Sequence, residues 1–266
     1  MIRIGWPSPR TTSTSVDPDE TKMRDAQALF DAGAYDAAIG LWLPLAQAGV
    51  ARAQNNVGMC LVGGLGADVD LETGIKWVRA AAVAGDTLAA RNLANAYLKG
   101  EGAPQSDHDA EIWYRLAAKA GDGEAQDMLS WLLANGEGRT ADYAESMKWA
   151  EAAAAQGQAA AMTRIGLFYH HALGVDRDTD RAVMWWQRAA RLDDGDAQAM
   201  LGAAYHIGQG VARDGVVALA WLQRARRNQS KLAERYIYAV RGTLTETEIA
   251  AADAMSTAPL DTMGTP

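Results

Sequence analysis

At 266 residues the chain is long enough for one large domain or two small ones, and its 49% hydrophobic content is ordinary for a globular protein. A formal charge of -8 with scattered basic residues argues against a general nucleic-acid binder, because phosphate contact needs clustered Lys and Arg. A single cysteine, Cys60, excludes an intrachain disulfide and a cysteine-based zinc site, and no apolar run reaches the ~18 residues of a membrane span.

Residues 1–20 are polar, carry Pro7, Pro9 and a Thr/Ser run, and show no periodicity, which predicts a disordered arm. They hold no apolar stretch long enough for a signal peptide, so a cytoplasmic location is expected unless the start codon is misassigned. Residues 21–50 then read as a first helical hairpin, with Gly33 and Ala34 as its turn.

From Ala51 onward the chain repeats. Gly66, Gly102, Gly138, Gly174 and Gly210 stand 36 residues apart, and Trp77, Trp113, Trp149, Trp185 and Trp221 keep the same spacing. A period of this length signals stacked supersecondary units. In the unit Thr87–Asp122, apolar positions from Leu88 to Lys99 follow a helical stripe, which gives a first helix A. Gly100 and Gly102 end it, because glycine readily takes the left-handed conformation that closes a helix. A second helix B opens at Asp70, Ser106, Asp142, Asp178 and Asp214 in successive units, all residues whose side chains accept hydrogen bonds from first-turn amides.

Helix B next places a small residue (Gly74, Ala110, Ser146, Ala182, Ala218) and, three positions on, the tryptophan. Small residues permit close helix approach, and the indole is expected to fill the seam between hairpins. Gly85, Gly121 and Gly157 stop helix B. The basic stretch from Arg224 to Lys231 reads as a solvated helix C-terminus favoured by the macrodipole. Residues 230–258 form a last pair: Lys231–Arg241 with Leu232, Tyr236 and Val240 inward, then a helix from Thr245 or Thr247 to Met255. Such a pair suits a polar-faced cap. The tail 259–266 is expected to be disordered.

The strings LANAYLKGEG, IGLFYHHALGV and LGAAYHIGQGV, each followed by a capping residue and an Ala-x-x-Trp segment, resemble Sel-one-like repeats, the 36-residue branch of the tetratricopeptide superfamily. The likeness spans five repeats over residues 51–229, with 21–50 closer to a plain tetratricopeptide pair. Leu133 replaces the repeat's tyrosine, and Ala172 replaces the first loop glycine. The resemblance implies an all-α fold, a right-handed α-solenoid superhelix of six to seven helix-turn-helix repeats. Its A helices would line a concave face used as a noncatalytic scaffold or adaptor for a protein or an extended peptide, without cofactor, nucleic acid or membrane as ligand.

Two other functions are open at this point. One is a hydrolase or metal-dependent enzyme built on His170, His171 and His206, of which His170 and His206 hold equivalent positions in neighbouring repeats. The other is a cell-envelope regulatory factor. Against the first, no carboxylate stands in the equivalent column to complete a metal triad and no Ser-His-Asp arrangement is present; the Gly-x-Gly strings recur as helix terminators and not as a phosphate cradle. Positions on helix A that point away from its own seam give the expected partner-binding face: Arg52, Asn55, Met59, Arg91, Asn95, Lys99, Asp127, Trp131, Thr163, Leu167, His170 and His206. Arg52, Arg91 and Lys99 tilt its first half basic, which would suit an acidic peptide. Trp131 is off the tryptophan period, either an exposed hot spot or a core indole compensating for Leu133.

Overall fold

Helix-favouring composition and a hairpin-length period produce fourteen α-helices, and no strand, among the described residues of the computed structural model, which are 18–135 and 140–260. In chain order they are α1 (Pro18–Asp31), α2 (Tyr35–Gln47), α3 (Ala51–Gly63), α4 (Leu71–Val83), α5 (Thr87–Lys99), α6 (Asp107–Lys119), α7 (Gly123–Asn135), α8 (Tyr143–Ala155), α9 (Ala159–His171), α10 (Thr179–Ala190), α11 (Gly195–Ile207), α12 (Gly215–Arg227), α13 (Lys231–Arg241) and α14 (Glu246–Thr257). Odd numbers are A helices and even numbers are B helices. They fall into two units, one ending at Gln105 and the other beginning at Ser106. Within the first, each helix packs on its successor and α3 also meets α5. Within the second, successive helices pack from α6 through α13, with α7 against α9, α11 against α13 and α12 against α14.

The predicted caps form. The side chains of Asp70, Asp142 and Asp178 accept from the amides of Thr73, Glu145 and Arg181 at 3.0, 2.8 and 2.9 Å, and Ser106 and Asp214 act likewise on α6 and α12. Each such bond contributes about 1 kcal/mol. A second set caps the A helices: Asp86, Asp122 and Asp194 accept from Ala89, Ala125 and Ala197 at 2.8, 2.8 and 2.7 Å.

Helices α3, α5 and α11 end on a left-handed glycine, whereas Ala172 closes α9 at φ 57°. The second loop glycine has another role. Gly66 lies on Tyr35 and Asp36 of α2, Gly102 on Leu71 of α4, Gly174 on Tyr143 of α8 and Gly210 on Thr179 of α10, each so close that a Cβ would overlap the first turn of the preceding B helix. Gly138, in the same column, is outside the described residues.

The periodic tryptophans depart from expectation. Trp77, Trp113, Trp149 and Trp185 are half-buried on their B helices, and of the five only Trp221 is buried. The closed position is one residue further on: Val78, Tyr114, Ala150, Trp186 and Leu222 are all buried. Helical geometry explains the difference. Counted from the small residue at the helix contact, the fourth position returns to the same face, while the third falls on its flank. Val78 therefore meets Gly58, Trp186 meets Gly166 and Leu222 meets Gly202. In the hairpin of α7 and α8, Ser146 instead bonds the Ser130 hydroxyl at 3.0 Å and its carbonyl at 2.6 Å. On the flank, the Trp149 indole donates to Glu145 at 3.1 Å and Arg188 lies over the Trp185 ring.

The ends differ in detail. Residues 18–20, expected in the arm, form the first turn of α1, where proline and acidic residues suit a helix start. The rest of the arm, 1–17, and the tail from 261 lie outside the described residues. Ala233, Ile237 and Val240 make the inward face of α13, so Leu232 and Tyr236 are flank positions. Of the two possible starts for α14, Thr245 is the cap, in a reciprocal box with Glu248. Arg224 and Arg227 are not merely solvated: they donate to the carbonyls of Ala258 and Ser256, tying α12 to the end of α14.

Two pairs of substitutions check this packing by chemical denaturation. Gly210→Ala combines left-handed strain of about 1–2 kcal/mol with an overlap costing about 1–3 kcal/mol, whereas Ala172→Gly is expected to stabilise by about 1 kcal/mol. Trp186→Ala is expected to cost about 3–5 kcal/mol and Trp149→Ala clearly less; equal losses would contradict the seam assignment.

Candidate functional site

Alternation of A and B helices leaves the side chains of successive A helices side by side, and in each unit they wall a cleft. In the first unit the cleft holds about 490 Å³ and draws on α1, α3 and α5, with Trp42 of α2 in its wall. Two expected face residues, Asn55 and Met59, line it. Asn55 is only 2% exposed, so it belongs to the floor rather than the open surface, where it accepts a hydrogen bond from Asn92 at 2.9 Å. Phe30, Leu65 and Leu88 supply apolar wall, and among the described residues the buried Trp42 indole N–H has no hydrogen-bond partner. Cys60 also contributes, but burial pushes its thiol up, away from the reactive thiolate.

The basic tilt expected on this half is largely cancelled within the fold. Arg52 pairs with Asp86 at 2.7 Å, and Lys99 approaches Glu101 at 3.9 Å. Arg91 and Asn95 are half-buried and each has an interaction partner.

The second cleft, of about 450 Å³, is walled by α7, α9 and the start of α11, with Tyr143 of α8. Here Trp131, Thr163 and Leu167 come together. Trp131 is 39% exposed while Leu133 is buried, which decides between its two readings: the indole is on the surface. Thr163 is again a floor residue, donating to Asp194 at 3.0 Å. Asp127 lies beneath, bound to Arg164 at 2.6 Å with both side chains mostly buried. Phe168, His171, Asp194 and Asp196 are also in the wall, with Arg164 itself. Asp194 could have been found from the capping column that contains Asp86 and Asp122, Asp196 as an acidic residue of the helix turn it opens, and His171 from its neighbour.

His170 and His206 are both half-buried. The His170 ring lies 4.6 Å from that of His171 and 5.4 Å from Trp186. Burial, then the nearby His171 and Arg177, lower its pKa from the ordinary histidine value. Among the described residues no group of three or more His, Cys, Asp or Glu is placed to hold a metal ion, and no helix is long and apolar enough to cross a membrane.

Five consecutive stretches, residues 51–86, 87–122, 123–158, 159–194 and 195–230, match the Sel1 repeat. A Sel1 repeat protein from Oxalobacter formigenes is similar over 88% of this chain and 98% of its own, at 31% identity and a TM-score of 0.74. The protective antigen c5321 of uropathogenic Escherichia coli strains, which displays an SLR fold, is similar over 90% of this chain at 21% identity and a TM-score of 0.60. The chain spans 60% of that antigen, and the likeness is one of fold. No curated protein matches.

The lowered pKa of His170 has a measurable sign. Below the ordinary histidine value of about 6.5, the unfolded chain binds a proton that folded His170 resists, so stability present above that pH is lost as pH falls. The denaturation midpoint is expected to decline from pH 7 to 5, and His170→Asn to flatten that slope. An unchanged slope in the variant would place its origin elsewhere.

Proposed function

This chain belongs to the Sel1 repeat family, an all-α solenoid family whose members are generally protein-interaction scaffolds and typically noncatalytic, and on that premise we propose that it is itself a noncatalytic scaffold holding a segment of a partner protein along its A-helix face. The observation that carries this reading is that successive A helices wall a cleft in each unit, with the half-exposed Trp131 at the second. An indole left at the surface in a cleft is the kind of residue that dominates binding energy when a partner covers it. The acidic balance of the chain supports a protein rather than a nucleic acid as partner.

Six of the twelve expected face residues fit this role differently from the way their spacing suggests. Asn55 and Thr163 shape cleft floors, Asp127 holds Arg164 in place, His170 packs on Trp186, and Arg52 and Lys99 lie beside acidic neighbours. Met59, Trp131 and Leu167 are the members that supply apolar cleft wall for a guest segment to cover.

Affinity capture from the encoding bacterium tests the assignment. Three baits are compared: the unaltered chain, Met59→Ala with Trp131→Ala on the A helices, and Lys76→Glu with Lys148→Glu on exposed B-helix positions. Loss of a hot spot costs about 2 kcal/mol or more, on the order of 30-fold in affinity. Proteins retained by the first and third baits should therefore be depleted from the second, with thermal midpoints unchanged. Equal retention by all three would reject the A-helix face.

A further inference from the structure

We infer that the cleft of α7, α9 and α11 takes a cationic-apolar segment, an arginine held by Asp194 and Asp196 and a bulky apolar side chain on Trp131 and Leu167, an inference that rests on the A-helix reading above. The charges of the wall lead to it. Its arginine, Arg164, is already committed: it pairs with the Asp127 carboxylate at 2.6 Å and also reaches the Asp127 carbonyl at 3.2 Å and the Ser130 hydroxyl at 3.3 Å. That cation is neutralised and fixed.

Asp194 and Asp196 are treated differently. Asp194 accepts from the Ala197 amide at 2.7 Å and the Thr163 hydroxyl at 3.0 Å, and Asp196 accepts from the Ser230 hydroxyl at 2.6 Å. All three bonds come from neutral donors and fall on Oδ1. They hold the carboxylates in position without cancelling their charge, and among the described residues neither forms an ion pair. Two held carboxylates, two residues apart in the wall of a cleft that also presents Trp131 and Leu167, are the complement of a guanidinium, whose fork of donors matches carboxylate oxygens and whose plane also stacks on indole. The net charge of -8 favours the same partner at long range.

The spacing follows from helix packing. Leu167 of the apolar seat is on α9, and Asp194 at the start of α11 is bonded to Thr163 of that same helix, so the two seats are on the order of 10 Å apart, which about three extended residues span. The recognised segment carries its arginine about that far from its apolar residue.

A synthetic array of dodecapeptides tests this. In a Gly-Ser background each peptide carries one Leu or Trp and one Arg, Asp or Ser at every separation, and hits are measured by fluorescence anisotropy. Asp194→Asn and Asp196→Asn remove charge while keeping an oxygen for the cap and for Ser230. The expected result is preferential retention of the Arg class, weakened at least tenfold by the double Asn variant and by Trp131→Ala, and weakened by added salt. Should Asp or Ser peptides bind as well or better, with Trp131→Ala still abolishing binding, the cationic class is wrong and the A-helix face stands. Binding indifferent to all these variants would overturn both. Retention of no peptide overturns the cationic class alone, since the face is judged separately by the capture comparison.

Discussion

Stacking of hairpins rests on a backbone contact that tolerates no side chain. The second loop glycine of each hairpin lies on the first turn of the B helix before it, at Gly66 on α2, Gly102 on α4, Gly174 on α8 and Gly210 on α10. These glycines carry positive φ as well, so two independent constraints meet at one atom. A hairpin cannot bury its own apolar face, and this contact fixes how the next one covers it. The clefts depend on it, because they exist only where one A helix is held beside the next.

Inside a hairpin the same economy of volume operates between side chains. Where helix B presents Trp186, helix A answers with Gly166; where it presents Leu222 the answer is Gly202, and Val78 faces Gly58. Ala150 leaves more room, and Ser130 and Ser146 occupy the neighbouring positions with a hydroxyl pair whose hydrogen bonds stay satisfied in the interior. The partners are complementary in size rather than identical in kind, as dense packing requires.

Columns 36 residues apart made the fold legible, because a helix cap or a left-handed glycine is a local demand that one residue type answers. Asp142 and Gly100 could be read one at a time, while the choice between Thr245 and Thr247 for the last cap is made only by the structure of α14. The seam was harder. Tryptophan is the conspicuous member of helix B, yet the buried position is its neighbour, where Val78, Tyr114, Ala150, Trp186 and Leu222 share burial but no chemical signature. The candidate site was legible as a face and not as a set of roles. Arg52 with Asp86 and Arg164 with Asp127 are pairs 34 and 37 residues apart, made only once repeats stack, so charges that looked available in the sequence are bound in the structure.

On the proposed reading, selectivity is set by what departs from the repeat. The column holding Trp131 reads Met59, Asn95, Trp131, Leu167 and Ala203, so its members share a place on helix A and differ in size and polarity from one unit to the next. The second loop glycines leave no room for a side chain, whereas this column holds side chains of quite different size. Among the described residues, the first cleft has no acidic or basic side chain in its wall, and the second keeps two carboxylates that bind only neutral donors. On the proposed scaffold reading, the frame is held constant and selectivity rests on a few variable side chains of the A helices.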